Sequence, residues 1–146
     1  MIYPLPGLRV LCVDDNRDTA DSTGMLLELY GCEVAVCYDA DTALATALRF
    51  RPDLCLIDLN MPGTGGCELA MRFRAWGWKP PPHLIAVTAH GSETARKATR
   101  EAGFDRHFVT PVNWDELVAV LAEAERSLGR AAYISSRLVQ SSGEVK

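Results

Sequence analysis

Short apolar runs separated by polar and turn-forming segments recur along the chain. Five such runs are Val10 to Val13, Glu33 to Tyr38, Leu54 to Leu59, Leu84 to Thr88 and His107 to Thr110. Most of them carry consecutive Val, Leu, Ile or Cys residues instead of alternating apolar and polar ones. That pattern is typical of strands buried on both faces of a parallel sheet. The sequence therefore predicts five parallel strands.

The segments between these runs carry apolar residues at helical spacing, with one apolar stripe each. The stripe of the last segment consists of Leu117, Leu121, Ala124 and Leu128. Glycines stand where the helical patterns stop, at Gly31, Gly77, Gly103 and Gly129. Glycine is common just past a helix end, so these positions are predicted helix ends.

Two helices have further signals. Asn113 followed by Glu116 resembles a capping pair that opens the last helix. The fourth helix, Glu93 to Ala102, has only alanines as apolar residues and is expected to be weakly held.

Alternation of strand and helix predicts an α/β fold, a doubly wound parallel sheet flanked by helices with right-handed crossovers. The 146 residues fit one domain. We assign that domain to residues 8–130, with a leader at 1–7 and a tail or linker fragment at 131–146.

Composition excludes several classes of function. The net charge of -4 argues against direct nucleic-acid binding, which requires clustered Lys and Arg. No apolar run approaches the roughly 20 residues that cross a bilayer, and no signal peptide is visible, so we predict a cytoplasmic protein without membrane contact. Five cysteines without CxxC spacing are interpreted as reduced thiols, mostly core residues.

Acidic residues follow two of the predicted strands. Asp14 and Asp15 come directly after the first strand, and Asp58 lies at the end of the third. Ligands of open parallel sheets bind at the carboxyl ends of the strands, so the three carboxylates are expected at one edge. A hard divalent cation would keep them ionised together, and Mg²⁺ suits such a set because it also keeps waters and a substrate phosphate. For Asp14 and Asp15 alone, a helix cap is the other interpretation.

Two further polar residues fall near the same edge. The turn after Asp58 brings the main-chain carbonyl of Asn60 towards a metal site. Thr88 closes the fourth strand and is followed by the small Ala89. Its hydroxyl can donate to a phosphoryl oxygen, although a strand-end Thr often has no such role.

These residues together resemble the receiver domains of two-component response regulators, over about Leu8 to Leu128. The motifs that carry the resemblance are Val13-Asp14-Asp15-Asn16, Asp58-Leu59-Asn60-Met61-Pro62, Thr88-Ala89 and Thr110-Pro111. The resemblance implies a flavodoxin-like sheet of five strands in the order 2-1-3-4-5, flanked by five helices.

The resemblance also implies the roles of the site residues. Asp58 would be the phosphoacceptor, taking a phosphoryl group from a phosphohistidine of a histidine kinase or a phosphotransfer protein. Asp14, Asp15, Asp58 and the main-chain oxygen of Asn60 would hold Mg²⁺, and Thr88 would assist catalysis and switching. Such a domain catalyses only its own phosphorylation and dephosphorylation, and is otherwise not an enzyme.

The chain departs from the family pattern at Thr110, where receivers usually carry Lys before the proline. A charge-assisted bond from an ammonium is roughly twice as strong as a neutral one. We therefore expect phosphorylation to persist but its coupling to the fourth helix to change. His107 stands where the family has a switching aromatic residue, and the alternative is a His that only packs. The resemblance also implies a cis peptide at Thr110-Pro111.

Two other classes of protein stay open as alternatives. A pseudo-receiver would bind a protein partner without phosphorylation, and Thr110 is its main support. An aspartate-nucleophile phosphatase or nucleotide-binding enzyme fits poorly, because Asp58 is not in an Asp-x-Asp pattern and no glycine-rich phosphate loop is present. A receiver would signal through a downstream protein partner. The sequence does not distinguish a stand-alone regulator from the receiver of a hybrid histidine kinase.

Overall fold

The computed structural model describes Leu5 and residues 7–141, with side-chain environments up to residue 128. The strands are β1 (Arg9–Val13), β2 (Glu33–Cys37), β3 (Leu54–Asp58), β4 (His83–Thr88) and β5 (Arg106–Val109). The helices are α1 (Arg17–Leu29), α2 (Ala40–Phe50), α3 (Gly66–Ala75), α4 (Glu93–Ala102) and α5 (Trp114–Ser141). Strands and helices alternate throughout, as the sequence pattern predicts.

All five strands are parallel and form one sheet in the order β2-β1-β3-β4-β5. The predicted fold class and strand order are confirmed. Because the order reverses between β1 and β3, the loops after these two strands diverge and leave a crevice at the carboxyl edge of the sheet.

The core consists of two layers, one on each face of the sheet. Alternate residues of a strand enter opposite layers: Leu11 packs with α2 and α3, whereas Cys12 packs with α1 and α5. In β3, Cys55 belongs to the same layer as Leu11, and Leu56 belongs to the same layer as Cys12. This two-sided burial explains why the strands are continuous apolar runs.

Side-chain caps fix where several helices begin. Asn16 accepts a hydrogen bond of 3.0 Å from the Thr19 N–H at the start of α1. Ser92 opens α4 in the same way, and the predicted cap of α5 is confirmed, since the Asn113 side chain accepts from the Glu116 N–H at 3.1 Å. These caps begin α1, α4 and α5 directly after the loops that form the carboxyl edge.

The predicted helix end at Gly129 is wrong, because α5 continues to Ser141. A single glycine costs a helix only about 1 kcal/mol relative to alanine, so it does not end a helix that good helix formers continue. Residues 131–141 of the predicted tail are therefore helical. Residues 142–146 of that tail lie outside the described part of the chain, as do residues 1–4 and 6 of the predicted leader. The domain bounds 8–130 stay a prediction.

Helix α4 is held by few side chains, as expected from its alanine-only apolar side. Its buried residues are Thr99 and Ala102, and it ends at Gly103, whose φ of 105° requires glycine. All five cysteines are free thiols, and burial raises the pKa of Cys12, Cys32, Cys37, Cys55 and Cys67. A thiol with a raised pKa is a poor nucleophile, so these residues act as small core side chains.

Candidate functional site

Three carboxylates meet at the carboxyl edge of the sheet. Asp14 and Asp15 follow β1, and Asp58 is the last residue of the neighbouring strand β3. One carboxylate oxygen from each lies within 4.8 Å of the other two. Asp14 and Asp58 are half-buried, and Asp15 is exposed. The structure thus brings together the acidic side chains that the sequence predicted to share one edge.

Backbone hydrogen bonds orient two of these carboxylates. Asp14 accepts from the Asn16 N–H at 2.9 Å, and its own N–H donates to the Cys37 carbonyl at 3.1 Å. Asp58 accepts from the Asn60 N–H at 3.2 Å. The turn after β3 therefore orients the Asp58 carboxylate through the backbone of Asn60, an exposed residue.

The pKa of Asp58 is raised to about 6. Burial is the main cause, because it penalises the ionised form, and the carboxylates of Asp14 and Asp15 add repulsion. The hydrogen bond from the Asn60 N–H lowers the pKa and is the second-largest effect, smaller only than burial. In the absence of a cation, burial and the neighbouring carboxylates therefore oppose ionisation of Asp58.

The donor set fits Mg²⁺. It offers only hard carboxylate oxygens, partly open to solvent, and no His or Cys belongs to this cluster among the described residues. Softer transition metals prefer nitrogen or sulfur ligands, and Ca²⁺ takes six to eight oxygens, usually from a dedicated loop. Mg²⁺ needs only a few protein oxygens because it keeps several waters.

Thr88 lies beside this cluster. It ends β4, one residue beyond Val87, which is paired with Asp58. Its side chain is 3% exposed, and its hydroxyl oxygen accepts from the His90 N–H at 3.1 Å. The oxygen is thus engaged as an acceptor, which leaves the hydroxyl proton available for donation to a group at Asp58.

Thr110 follows β5 at the next strand end. Its N–H donates to the Thr88 carbonyl at 2.8 Å, and its side chain is exposed. The Thr110–Pro111 peptide is cis, as the resemblance implied. A second cis peptide, Lys79–Pro80, was not predicted.

His107 links β5 to the segments around α4. Its Nδ1 lies 3.0 Å from the Thr99 hydroxyl, and its Nε2 lies 3.2 Å from the His90 carbonyl. The Thr99 hydroxyl also donates to the Arg96 carbonyl at 2.9 Å, so its contact with Nδ1 attaches the ring to α4. The half-buried ring is thus fastened at both nitrogens in this conformation.

Two features of the site were missed from the sequence. Gly66 at the start of α3 lies so close to the end of β3 that an added Cβ would be 2.8 Å from the Asp58 carbonyl. The Gly65-Gly66 pair was a signal for such close approach. The other feature is an apolar cavity beside Asp58, lined in part by Thr110. Its walls come from segments distant in sequence, so no local pattern indicated it.

The sheet order and the crevice at its reversal point define a flavodoxin-like domain with a cluster of three carboxylates. The family model for the response regulator receiver domain matches residues 10–122, and the chain belongs to this family. Receiver domains of response regulators are signalling modules of two-component systems, and they typically bind Mg²⁺ at an acidic pocket.

Individual relatives agree with this assignment. The transcriptional regulatory protein PrrA of Mycobacterium tuberculosis is 37% identical over 131 residues, which are 90% of this chain and 55% of PrrA. The phosphate regulon transcriptional regulatory protein PhoB of Pseudomonas aeruginosa is 32% identical over 84% of this chain and 54% of its own length. The crystal structure of a CheY-like receiver domain protein from Methanospirillum hungatei is 30% identical, with a TM-score of 0.71, over 83% of this chain and 98% of that one.

The expectation that the protein acts without nucleic acid is not supported by these relatives. PrrA and PhoB are named transcriptional regulators, and the chain spans about half the length of these curated relatives. The mild negative charge describes only the sequence at hand, so it does not exclude DNA as a partner of a longer protein. Within the part of the chain that the structure describes, no helix is both long and apolar enough to cross a lipid bilayer.

Proposed function

We propose that Asp58 accepts a phosphoryl group from a phosphohistidine of a histidine kinase or a phosphotransfer protein. The observation that carries the proposal is the cluster of three carboxylate oxygens within 4.8 Å of one another, one of which belongs to the half-buried Asp58. A purely structural role gives no reason to gather three like charges in one crevice, since their repulsion destabilises the fold.

The chain's own residues perform distinct parts of this transfer. A carboxylate oxygen of Asp58 attacks phosphorus in line with the departing imidazole, so a P–O bond forms as the P–N bond breaks. The product is an acyl phosphate, and the donor histidine leaves with the electron pair of the broken bond and takes up a proton. Asp58 must be ionised to attack, and a pKa of about 6 leaves it mostly ionised at neutral pH.

Asp14, Asp15, Asp58 and the main-chain oxygen of Asn60 are the proposed ligands of Mg²⁺. When bound, the cation neutralises charge on the phosphoryl oxygens, the main requirement of phosphoryl transfer. Thr88 donates its free hydroxyl proton to a phosphoryl oxygen. These contributions do not depend on residue 110, so we expect Asp58 to be phosphorylated although Thr110 replaces the usual Lys.

Signalling is proposed to run through Thr88, Thr110 and His107 to α4. A threonine hydroxyl at position 110 supplies at most a neutral hydrogen bond, worth roughly 0.5 to 1.5 kcal/mol, in place of the charge-assisted bond of an ammonium. The Thr99–His107–His90 contacts then set how readily β5 and α4 move together. A downstream protein partner would read this movement. The cytoplasmic location also stays a prediction.

A pseudo-receiver that binds its partner without phosphorylation is the second candidate. The exposed Thr110 supports it, because no ammonium is available at this position to stabilise a phosphoryl group. The acidic cluster opposes it. The two functions differ in whether Asp58 is chemically competent.

Intact-mass spectrometry after incubation with acetyl phosphate and Mg²⁺ tests the proposal. We expect the wild-type protein to gain one phosphoryl group and Asp58→Asn to gain none. Asp41→Asn is the matched control, because Asp41 is an exposed aspartate of α2 outside the acidic cluster, and it should gain mass like the wild type. An unmodified wild-type protein would favour the pseudo-receiver.

A further inference from the structure

A cavity of about 260 Å³ opens next to Asp58 on the face of the sheet that α1 and α5 cover. Its apolar walls include Cys12, Ala20, Leu26, Leu56, Val112 and Trp114. An engineered protein cavity of ~150 Å³ is large enough to bind benzene, so this space admits a small ring with a short substituent. The cavity is thus the size of a small organic ligand.

Two acidic residues also line the cavity. Asp14 and Asp58 both line it, together with the hydroxyl-bearing Thr19, Thr23 and Thr110. Among the described residues that line it, none is Lys or Arg. A ligand that suits both the apolar walls and the carboxylates therefore combines an apolar body with a positive charge.

The small side chain of Thr110 contributes to this opening. Thr110 lines the cavity together with Asp58. A lysine at the same position would carry a four-carbon stem and an ammonium within reach of the space and of the carboxylates. The chain therefore lacks, at this site, the combination of apolar stem and cation that a lysine would supply.

We infer that this cavity binds a small primary amine with one apolar group. The ammonium pairs with Asp14 and Asp58, and the apolar group packs between Leu56 and Trp114. Bound Mg²⁺ leaves the three carboxylates with a net negative charge, so the amine and the metal are compatible. The bound amine thereby provides the positive charge and the apolar group that Thr110 lacks.

The test uses 4-fluorobenzylamine, followed by fluorine NMR, with and without Mg²⁺. For a ligand of this size we expect saturable binding with a Kd on the order of 1 mM. The neutral analogue 4-fluorobenzyl alcohol has the same shape and should bind about tenfold more weakly, because it lacks the charge. Amide shifts in a proton–nitrogen spectrum should concentrate on the cavity, including the indole N–H of Trp114.

Two variants at position 110 locate the site. Thr110→Lys should lose binding by at least about tenfold, because its own ammonium and stem occupy the cavity. Thr110→Ser keeps a small side chain and should bind as the wild type does. Circular dichroism checks that both variants are folded. Equal binding of amine and alcohol, equal binding by Thr110→Lys, shifts away from the cavity, or no saturation would each overturn the inference.

A consequence for phosphorylation rests on the proposed function. If Asp58 carries a phosphoryl group, the amine should slow hydrolysis of the acyl phosphate in the wild type but not in Thr110→Lys. The phosphorylation measurement and the binding titration test different claims, so either one can give a negative result while the other is positive. Binding without any phosphorylation would refute the proposed function alone, and phosphorylation without binding would refute the cavity inference alone.

Discussion

The N–H of Thr110 donates a hydrogen bond of 2.8 Å to the carbonyl of Thr88, which ties the end of β5 to the end of β4. The two residues proposed to signal phosphorylation are therefore adjacent through the backbone. Any displacement of Thr88 towards a phosphoryl group would pull on the segment that carries Thr110.

Thr110→Lys should strengthen the response to phosphorylation. The introduced ammonium can make a charge-assisted bond to the phosphoryl group, so the acyl phosphate should last longer, by up to about tenfold for a gain near 1.4 kcal/mol. Dephosphorylation is followed by intact mass, and the conformational shift by amide NMR spectra. Thr110→Ser is the control and should behave as the wild type. Unchanged kinetics and spectra in Thr110→Lys would count against the role given to this position.

Trp114 should report Mg²⁺ binding by its fluorescence. It lines the same cavity as Asp14 and Asp58, whereas Trp76 and Trp78 pack with Phe73 in the layer on the other face of the sheet. We expect Mg²⁺ to change the intrinsic fluorescence of the wild type and of Trp76→Phe, and to have little effect on Trp114→Phe. A response that survives in Trp114→Phe would mean that the metal acts elsewhere.

Much of the fold followed from local sequence because its signals are local. Consecutive apolar residues predicted β3 to within one residue, and the pattern from Glu93 to Ala102 matched α4 at both ends. The meeting of Asp14 with Asp58 was also predictable, since adjacent strands end at the same edge. Gly129 misled because a glycine ends a helix only where the flanking residues also disfavour it.

The cavity and the His107 contacts were not predictable from the sequence alone. The cavity depends on how α1 and α5 pack against the sheet, and packing distances have no signature in a local pattern. His107 meets Thr99 and the carbonyl of His90 through tertiary contacts. For His107, the sequence therefore left a switching role and simple packing both open. The proposed roles of all these residues stay predictions.

Asp58→Asn should stabilise the metal-free protein near neutral pH. The pKa of Asp58 is raised to about 6 by burial and by Asp14 and Asp15, so the folded protein holds this proton more tightly than the unfolded chain. The stability that this group contributes is complete below its unfolded pKa of about 4, and it is lost as the pH rises through about 6. The asparagine side chain does not ionise, so Asp58→Asn does not lose this stability as the pH rises.

Thermal unfolding in EDTA at several pH values measures this effect. At pH 7.5 the melting temperature of Asp58→Asn should exceed that of the wild type by a few degrees, and the difference should shrink towards pH 4. Saturating Mg²⁺ should reverse the order, because the metal stabilises the ionised wild-type site and the variant lacks one ligand. A variant that is less stable than the wild type at pH 7.5 in EDTA would show that the carboxylate repulsion is unimportant.

Gly66→Ala should destabilise the protein and disturb the phosphoacceptor edge. A Cβ at this position would lie 2.8 Å from the Asp58 carbonyl and 2.9 Å from the Leu59 Cα, both parts of the backbone that cannot rotate away. We expect the free energy of unfolding to fall by about 1 to 3 kcal/mol, the usual cost of overpacking.

Gly65→Ala is the matched control, because its Cβ would have only an ordinary contact, 3.7 Å from the Leu59 carbonyl. The loss of a glycine cap there should cost less than about 1 kcal/mol. Urea unfolding measures both variants, and acetyl phosphate labelling shows whether a displaced Asp58 also reacts more slowly in Gly66→Ala. Equal stability of the two variants would mean that α3 can retreat from β3 without strain, and that the close approach does not position Asp58.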